Sequence, residues 1–362
     1  MTRPMLISQE TIPTNLENAV AHLVRHRSYD LRGRETESSG LAIVPAAQGD
    51  NRRVMTWCHG TTGMGDAACP SAQPDPAGEL RTYFAPDSTA QIDYGVPGLQ
   101  QFIDDGWIIC ATDYQGLGTP GMHQYTVGRT NAIDAVSIVH AAREMGIGAG
   151  TRFGTMGWSQ GGAASAAMAE LDDADFGELE LVGSVLMSPG VPIMGMRDPS
   201  GLSTALTGAD IPPDGHLIMI LTAMATAFPD ELKLEDVFTP LGIEIMEKAW
   251  NTQPVHHLSD TLGRLYAFKG PILSVKPDRM SAWLAAMTEA SAGRVKPRCP
   301  IFMAVDGFNN GSVVPVGWQT AYADAATALG GDVTTKMYEH DDHFELPRDC
   351  VGDARDWLAS KF

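Results

Sequence analysis

The segment whose residue types and spacing point most clearly to catalysis is the pentapeptide Gly157-Trp158-Ser159-Gln160-Gly161, in which a serine stands between two glycines. It follows an apolar run predicted as a strand and opens a run of small residues that favours a helix. A strand-turn-helix of this kind holds its serine in a strained conformation, and a side chain at either glycine would collide with a neighbouring element. The pattern predicts that Ser159 is a nucleophile and that the main-chain N–H of Gln160 faces an oxyanion beside it.

A second oxyanion donor is expected from the loop Cys58-His59-Gly60-Thr61-Thr62-Gly63, which follows the predicted strand Val54 to Cys58. Its glycines allow the chain to fold close to a substrate carbonyl, so the main-chain N–H of Thr61 would complete the hole, with Thr62 or its hydroxyl as a possible helper. His59 is interpreted as part of the scaffold of this loop and not as a base.

The general base is expected late in the chain, because nucleophile, acid and histidine follow one another in that order around an elbow of this type. Two histidines lie after the last predicted strand, in the segment YEHDDHFELP. We favour His343, since Phe344 and Leu346 can pack against it and three more residues let its ring reach over the serine. His340 is the alternative.

The acid that orients this histidine is harder to assign. Asp306 is the carboxylate directly after the predicted strand Ile301 to Val305, and it is the preferred candidate. It stands a few residues earlier than a loop acid usually does. The more usual position holds Asn309 and Asn310, which carry no negative charge, and Asp341 and Asp342 are further alternatives.

Short apolar runs rich in β-branched residues alternate with helix-like stretches, which is typical of a mostly parallel sheet with helices on both faces. The predicted class is therefore α/β. The predicted strands are Leu41 to Val44, Val54 to Cys58, Trp107 to Thr112, Phe153 to Gly157, Val182 to Met187, Ile301 to Val305 and Val333 to Tyr338, and the predicted helices are Asn131 to Glu144, Gly161 to Leu171 and Trp318 to Leu329.

The alternation stops for about a hundred residues, 191–298, where helix-like patterns, prolines and many methionines occur without a clear strand. This segment is predicted to be a helical cap inserted into a core formed by residues 41–190 and 299–362. Residues 1–40 are predicted to be a partly helical N-terminal extension. Flexible thioethers suit an irregular apolar pocket for an acyl chain, although the methionines would equally serve as the core of the cap.

The chain has 362 residues and 25 Lys and Arg against 44 Asp and Glu, a net charge of −19 that disfavours nucleic acids and anionic membrane surfaces as partners. The five cysteines form no closely spaced pair, so neither zinc nor a disulfide framework is indicated. No apolar run is long enough to cross a membrane, and the first residues do not read as a secretory signal. We therefore expect a cytoplasmic protein, and the sequence does not indicate its oligomeric state.

Three stretches together resemble the secretory-lipase family of α/β-hydrolases, the lipase-A-like group: WCHGTTGMGDAACPS at 57–71, DYQGLGTPGMHQY at 113–125 and GWSQGG at 157–162. The resemblance implies an α/β-hydrolase fold with a helical cap between the sixth and seventh strands and a Ser-His-Asp site. The resemblance also implies that Ser159 is the nucleophile and His343 the base. It implies that Thr61 and Gln160 are the oxyanion donors. The chain departs from the family where the acid is expected, because Asn309, Asn310 and Gly311 fill the stretch before Val313-Val314-Pro315.

These residues predict a hydrolase of small carboxylic esters with short-to-medium acyl groups, which works through an acyl-serine intermediate without metal or cofactor. An acyltransferase would share the acyl-enzyme and pass the acyl group to an alcohol or amine. A non-catalytic binding protein built on a decayed hydrolase is the third hypothesis, because the acid position is uncertain.

Overall fold

A nine-stranded sheet forms the centre of the computed structural model, which describes residues 4–82, 92–207, 214–308 and 313–362. The strands lie in the order β1-β2-β3-β5-β4-β6-β7-β8-β9. From β5 to β9 all neighbours are parallel, and β1, β2 and β3 add an antiparallel edge. The strands are β1 (Leu6–Ile12), β2 (Ala19–Tyr29), β3 (Glu35–Pro45), β4 (Arg52–Cys58), β5 (Ile108–Thr112), β6 (Ala149–Trp158), β7 (Glu180–Met187), β8 (Ile301–Asp306) and β9 (Val333–Tyr338).

Helices cover both faces of this sheet, as a buried parallel sheet requires. The helices are α1 (Leu99–Asp104), α2 (Gly128–Glu144), α3 (Gln160–Met168), α4 (Asp173–Phe176), α5 (Pro199–Thr207), α6 (Gly215–Ala227), α7 (Pro240–Ala249), α8 (Val255–Lys269), α9 (Met280–Ala290), α10 (Val316–Ala328) and α11 (Leu346–Ala359). The side chains of α2, α3 and α10 share one apolar core with the sheet. Those of α1 and α11 share a second core on the opposite face.

The predicted α/β class is confirmed, and each of the seven predicted strands and three predicted helices coincides with an element of the structure. Strands β4 to β8 are recognisable because they are buried on both faces and therefore apolar nearly throughout. Their carboxyl ends meet at one edge of the sheet, and the loops that follow β4, β6 and β7, together with the last residue of β8, belong to the site described below.

The prediction of a partly helical segment before residue 41 was wrong. The described residues of this segment form β1, β2 and the beginning of β3, which pair as an antiparallel meander and extend the sheet. Strand β1 exposes most of its side chains at the sheet's edge, and β2 carries histidines and arginines between its apolar residues. Neither strand has the continuous apolar run that marks the buried strands.

Between β7 and β8 the described residues form helices α5 to α9 and short turns, with a single isolated bridge between Phe238 and Leu273. Most of the third apolar core comes from these helices. It also contains Met64 from the loop after β4 and Tyr125 from the loop before α2, so the helices pack directly on two loops of the sheet's carboxyl edge. Over the described parts of the chain, no helix is both long and apolar enough to span a bilayer.

Candidate active site

Ser159 lies at the sharp turn between β6 and α3, with φ 58° and ψ −115°. The flanking glycines make this turn possible, because a Cβ at position 161 would lie 1.8 Å from the carbonyl oxygen of Cys58, and one at position 157 would lie 2.0 Å from that of Gly161. A non-glycine residue in this backbone region is strained, and such strain is concentrated at functional sites. The local structure has the form of a nucleophile elbow.

Gln160 is the first residue of α3, where an N–H group has no carbonyl partner within its own helix. Its buried side chain donates to Nε2 of His123 at 2.7 Å and to Oδ1 of Asn131 at 3.3 Å. Burial lowers the pKa of His123 to about 3, so the ring is neutral and Nε2 can accept while Nδ1 donates to the carbonyl of Gln115. These bonds fix the start of the helix that follows Ser159.

Thr61 lies in the loop after β4 and is 5% exposed. Its hydroxyl forms a 2.8 Å hydrogen bond with the hydroxyl of Tyr125. Burial raises the pKa of Tyr125, so its phenol stays protonated and can act as a donor. The loop is packed closely, since a Cβ at Gly60 would lie 2.6 Å from the ring of Trp158, the residue that precedes Ser159. The loop with the predicted oxyanion donor therefore contacts the elbow directly.

His343 is buried at the same edge of the sheet and is 2% exposed, whereas His340 is exposed. The indole N–H of Trp158 donates to the carbonyl oxygen of His343 at 2.9 Å, and the two rings lie 5.3 Å apart between centroids. The structure thus holds His343 next to the residue that precedes Ser159. Of the two candidate bases, only His343 is brought into the site.

Asp306 is the last residue of β8 and is fully buried. Its Oδ2 lies 3.6 Å from Nδ1 of His343, and its Oδ1 accepts from the side-chain amide of Gln319, which also donates to the carbonyl of Val314 at 2.8 Å. The structure therefore places the preferred acid on the Nδ1 side of the preferred base. At this separation Asp306 Oδ2 and Nδ1 of His343 are too far apart for a direct hydrogen bond.

The other candidate acids have different positions. Asn309 and Asn310 lie outside the described residues. Asp342 uses Oδ1 to accept from the main-chain N–H groups of Phe344 and Glu345, at 2.8 and 2.9 Å, and so orders the turn that precedes the last helix. Burial and the nearby carboxyl of Asp349 raise the pKa of Asp341, which is the opposite of what a charged triad acid needs.

One turn, Met187–Gly190, connects the nucleophile with the base. The N–H of Ser159 donates to the carbonyl of Met187, and the N–H of Gly190 donates to the carbonyl of Ser159, both at 2.9 Å. Within the same turn, the hydroxyl of Ser188 lies 2.8 Å from Nδ1 of His343. Ser159 and His343 are therefore fixed against the two sides of a single four-residue turn.

His59 and Asp113 both make contacts that hold loops together, and for His59 this is the scaffold role expected from the sequence. The ring nitrogens of His59 face the carbonyl oxygens of Gly60 and Asp113, at 2.6 and 3.1 Å, and burial lowers its pKa. The carboxylate of Asp113 accepts from the hydroxyls of Ser39 and Ser71 and from the N–H of Ser71. These bonds tie the loop after β5 to its neighbours.

Several residues of this site were missed in the sequence, namely Ser188, Tyr125, His123, Asn131 and Gln319. Ser188 had a usable signal, because Ser188-Pro189-Gly190 is a turn that directly follows a buried strand at the sheet's carboxyl edge. The others contact the predicted residues only through the three-dimensional fold.

The described residues contain no group of three His, Cys, Asp or Glu side chains placed to hold a metal ion. What the site does contain is a hydroxyl on a strained turn, an imidazole held against the same four-residue turn that Ser159 contacts, a buried carboxylate and two loops that can present main-chain N–H groups. That set is suited to acyl transfer through a serine.

The nine-stranded sheet and the elbow define the class of this protein, an α/β-hydrolase. The family model for secretory lipases matches residues 82–199, about a third of the chain, and this confirms the resemblance inferred from the sequence motifs. The matched region contains Ser159 and Gln160. Together with the fold, this match supports a carboxylesterase or lipase hydrolase.

Solved structures of similar fold include the rice cell wall degrading esterase LipA from Xanthomonas oryzae, with a TM-score of 0.73 and 15% identity over 99% of this chain and 98% of that one. Candida antarctica lipase A in its closed state has a TM-score of 0.73 and 13% identity over 99% and 81%. A putative hydrolase from Legionella pneumophila has a TM-score of 0.67 and 13% identity over 99% and 98%. No curated protein matches the chain at a significant level.

Proposed function

We propose that this protein hydrolyses small carboxylic esters through a covalent acyl-serine intermediate. Ser159 is the nucleophile, His343 the general base and Asp306 the carboxylate that stabilises the imidazolium. The main-chain N–H groups of Thr61 and Gln160 bind the oxyanion. The observation that carries the proposal is the position of a strained, elbow-type serine and a buried histidine against one turn, with a buried carboxylate behind the histidine.

In the first half of the reaction, the Ser159 hydroxyl attacks the ester carbonyl carbon while Nε2 of His343 takes the hydroxyl proton. The carbonyl oxygen becomes an oxyanion that accepts from the two N–H groups. Collapse of this intermediate breaks the bond to the alcohol oxygen, which leaves with the proton from Nε2. In the second half, water attacks the acyl-enzyme with the same base, and the acid product and free Ser159 are released.

The acyl group is proposed to be short to medium in length and to lie against the third apolar core. That core joins Met64 and Tyr125, which flank the oxyanion loop, to cap methionines such as Met219, Met224 and Met246. Unbranched thioethers adapt to irregular apolar groups. These methionines are buried, so an acyl chain that leaves the serine toward the cap would contact them as they shift to admit it.

The test is a series of p-nitrophenyl esters from acetate to palmitate, assayed with the wild type and with Ser159→Ala. We expect saturable turnover with kcat/KM highest for a chain of intermediate length, and a loss of about 10⁵ to 10⁶ in kcat for the variant. A matched control is Ser165→Ala, which removes a buried hydroxyl from the same helix and should leave kcat within a few-fold.

Labelling by a fluorophosphonate separates the proposal from its competitors. Stoichiometric labelling that Ser159→Ala abolishes supports a nucleophilic serine, whereas no labelling together with no turnover contradicts it and favours a binding protein. An added alcohol acceptor tests the acyltransferase alternative. If the transfer product dominates at a modest acceptor concentration, the protein is an acyltransferase and not a hydrolase.

A further inference from the structure

Among the described residues, the hydroxyl of Ser188 lies closer to Nδ1 of His343 than the carboxylate of Asp306 does. Ser188 Oγ lies 2.8 Å from Nδ1, within hydrogen-bond distance, whereas Asp306 Oδ2 lies 3.6 Å away, beyond it. Both partners are fully buried, so water does not compete for the ring nitrogen from their side. The orientation of the imidazole is therefore determined at short range by a hydroxyl.

The backbone of Ser188 is strained in a way that aims this hydroxyl. Ser188 follows β7 directly and has φ 45°. This is the left-handed region, which L residues other than Asn and Asp seldom adopt. Its N–H donates to the carbonyl of Ala304 on β8 at 2.9 Å. Such strain persists only where surrounding contacts enforce it, and here the strained backbone places Oγ next to Nδ1 of His343.

A serine hydroxyl can accept and donate a hydrogen bond at once, so its effect depends on the tautomer of His343. The base needs a free lone pair on Nε2, which requires the proton on Nδ1. The carboxylate of Asp306 on the Nδ1 side attracts an N–H dipole there, so Nδ1–H donates and Ser188 Oγ accepts. The carboxylate thus selects the tautomer, and the hydroxyl fixes the ring angle.

We propose that Ser188 is a positioning residue for His343, which holds the imidazole in the angle at which Nε2 meets the Ser159 hydroxyl. The inference rests on the proposed function, because it assigns a role relative to that base. It also explains how Asp306 can serve at the end of β8, earlier than a loop acid, because the hydroxyl supplies the short bond that the carboxylate does not reach.

The experiment compares Ser188→Ala and Ser188→Gly with the wild type, with kcat, KM and the pH profile of kcat/KM as readouts. Glycine adopts a positive φ without strain, so it removes the hydroxyl and keeps the turn even if alanine destabilises it. We expect both variants to lose about 10- to 100-fold in kcat with KM changed less than about threefold. The acidic limb of kcat/KM should move to lower pH, because the imidazolium loses an acceptor.

The matched control is Ser184→Ala. It removes a fully buried hydroxyl on β7, which donates to the carbonyl of Ser165 at 3.0 Å. It should change neither kcat nor the pH profile by more than about twofold. If Ser188→Gly folds and keeps both the wild-type kcat and the wild-type acidic limb, the positioning role is refuted. Failure of the proposed function looks different. The wild type then shows no ester turnover, and the Ser159→Ala substitution makes no difference to fluorophosphonate labelling.

Discussion

Asp134 should make the stability of this protein depend on pH in a direction opposite to that of most carboxylates. It lies within α2 and is fully buried, and burial raises its pKa from 3.8 to about 7. The N–H of Gln115, which donates to its Oδ2 at 3.0 Å, offsets this only in part, and the negative charge of Asp30 adds to it. The folded protein therefore holds a proton on Asp134 that the unfolded chain releases near pH 4.

The size of the effect follows from the difference between the two pKa values. Below about pH 4 the carboxyl is protonated in both states and contributes nothing to the pH dependence. Between about pH 4 and 7 only the folded state keeps the proton, so the free energy of unfolding falls as pH rises, by about 1.4 kcal/mol per unit. Above pH 7 the full penalty is present, about 4 kcal/mol, and between pH 5 and 8 the loss is about 2.5 kcal/mol.

The substitution Asp134→Asn removes the titration and keeps an oxygen that can accept from the N–H of Gln115. Urea unfolding followed by tryptophan fluorescence at pH 5, 6, 7 and 8 gives the free energy of unfolding for both proteins. We expect the free energy of unfolding of the variant minus that of the wild type to rise by about 2.5 kcal/mol from pH 5 to pH 8. This change does not depend on which of the two proteins is more stable at pH 5. Other titrating groups cancel in this difference.

The control is Asp324→Asn, at an exposed carboxylate on α10, whose difference from the wild type should stay constant within about 0.5 kcal/mol over the same range. If the Asp134→Asn difference is equally constant, then the carboxyl ionises in the folded state near its ordinary pKa. The argument from burial would then be refuted for this residue.

Three further predictions concern the site. Asp306→Asn should lower kcat by between about 10² and 10⁴, since the neutral amide no longer stabilises the imidazolium, and steady-state kinetics that show less than a tenfold loss would remove it from the triad. Tyr125→Phe should lower kcat about tenfold with KM nearly unchanged, because Thr61 loses its 2.8 Å partner, and an unchanged kcat would contradict that link. Gly161→Ala should prevent folding to the native state, because its Cβ would lie 1.8 Å from the carbonyl oxygen of Cys58, and native circular dichroism and melting would show that reasoning wrong.

The sequence predicted the parts of this fold in which each element carries its own signal. Strands β4 to β8 are apolar on both faces, and the elbow needs its glycines wherever it occurs, so both are visible without knowledge of their neighbours. The strands β1 and β2 were not predicted, because an exposed strand has a mixed sequence that local patterns do not distinguish from a loop or a helix.

The site was predictable to a similar extent. Ser159 could be identified from its motif, and His343 from its place after the last strand, but the assignments of roles to them and to Asp306, Thr61 and Gln160 stay predictions until activity is measured. Ser188 follows a buried strand and so had a local signal, but its contact with His343, 155 residues away, is set by the fold, as is the contact of His123 with Gln160, 37 residues away.

The turn Met187–Gly190 has a mechanical consequence, because it is bonded to Ser159 on one side and to His343 on the other. A distortion of β7 that moves this turn would carry the hydroxyl and the imidazole along together, away from the separate loop of Thr61. Damage at this strand would therefore lower ester turnover even though the hydroxyl and the imidazole keep their relative position, since the pair and the neighbouring N–H of Gln160 would no longer face the main-chain N–H of Thr61.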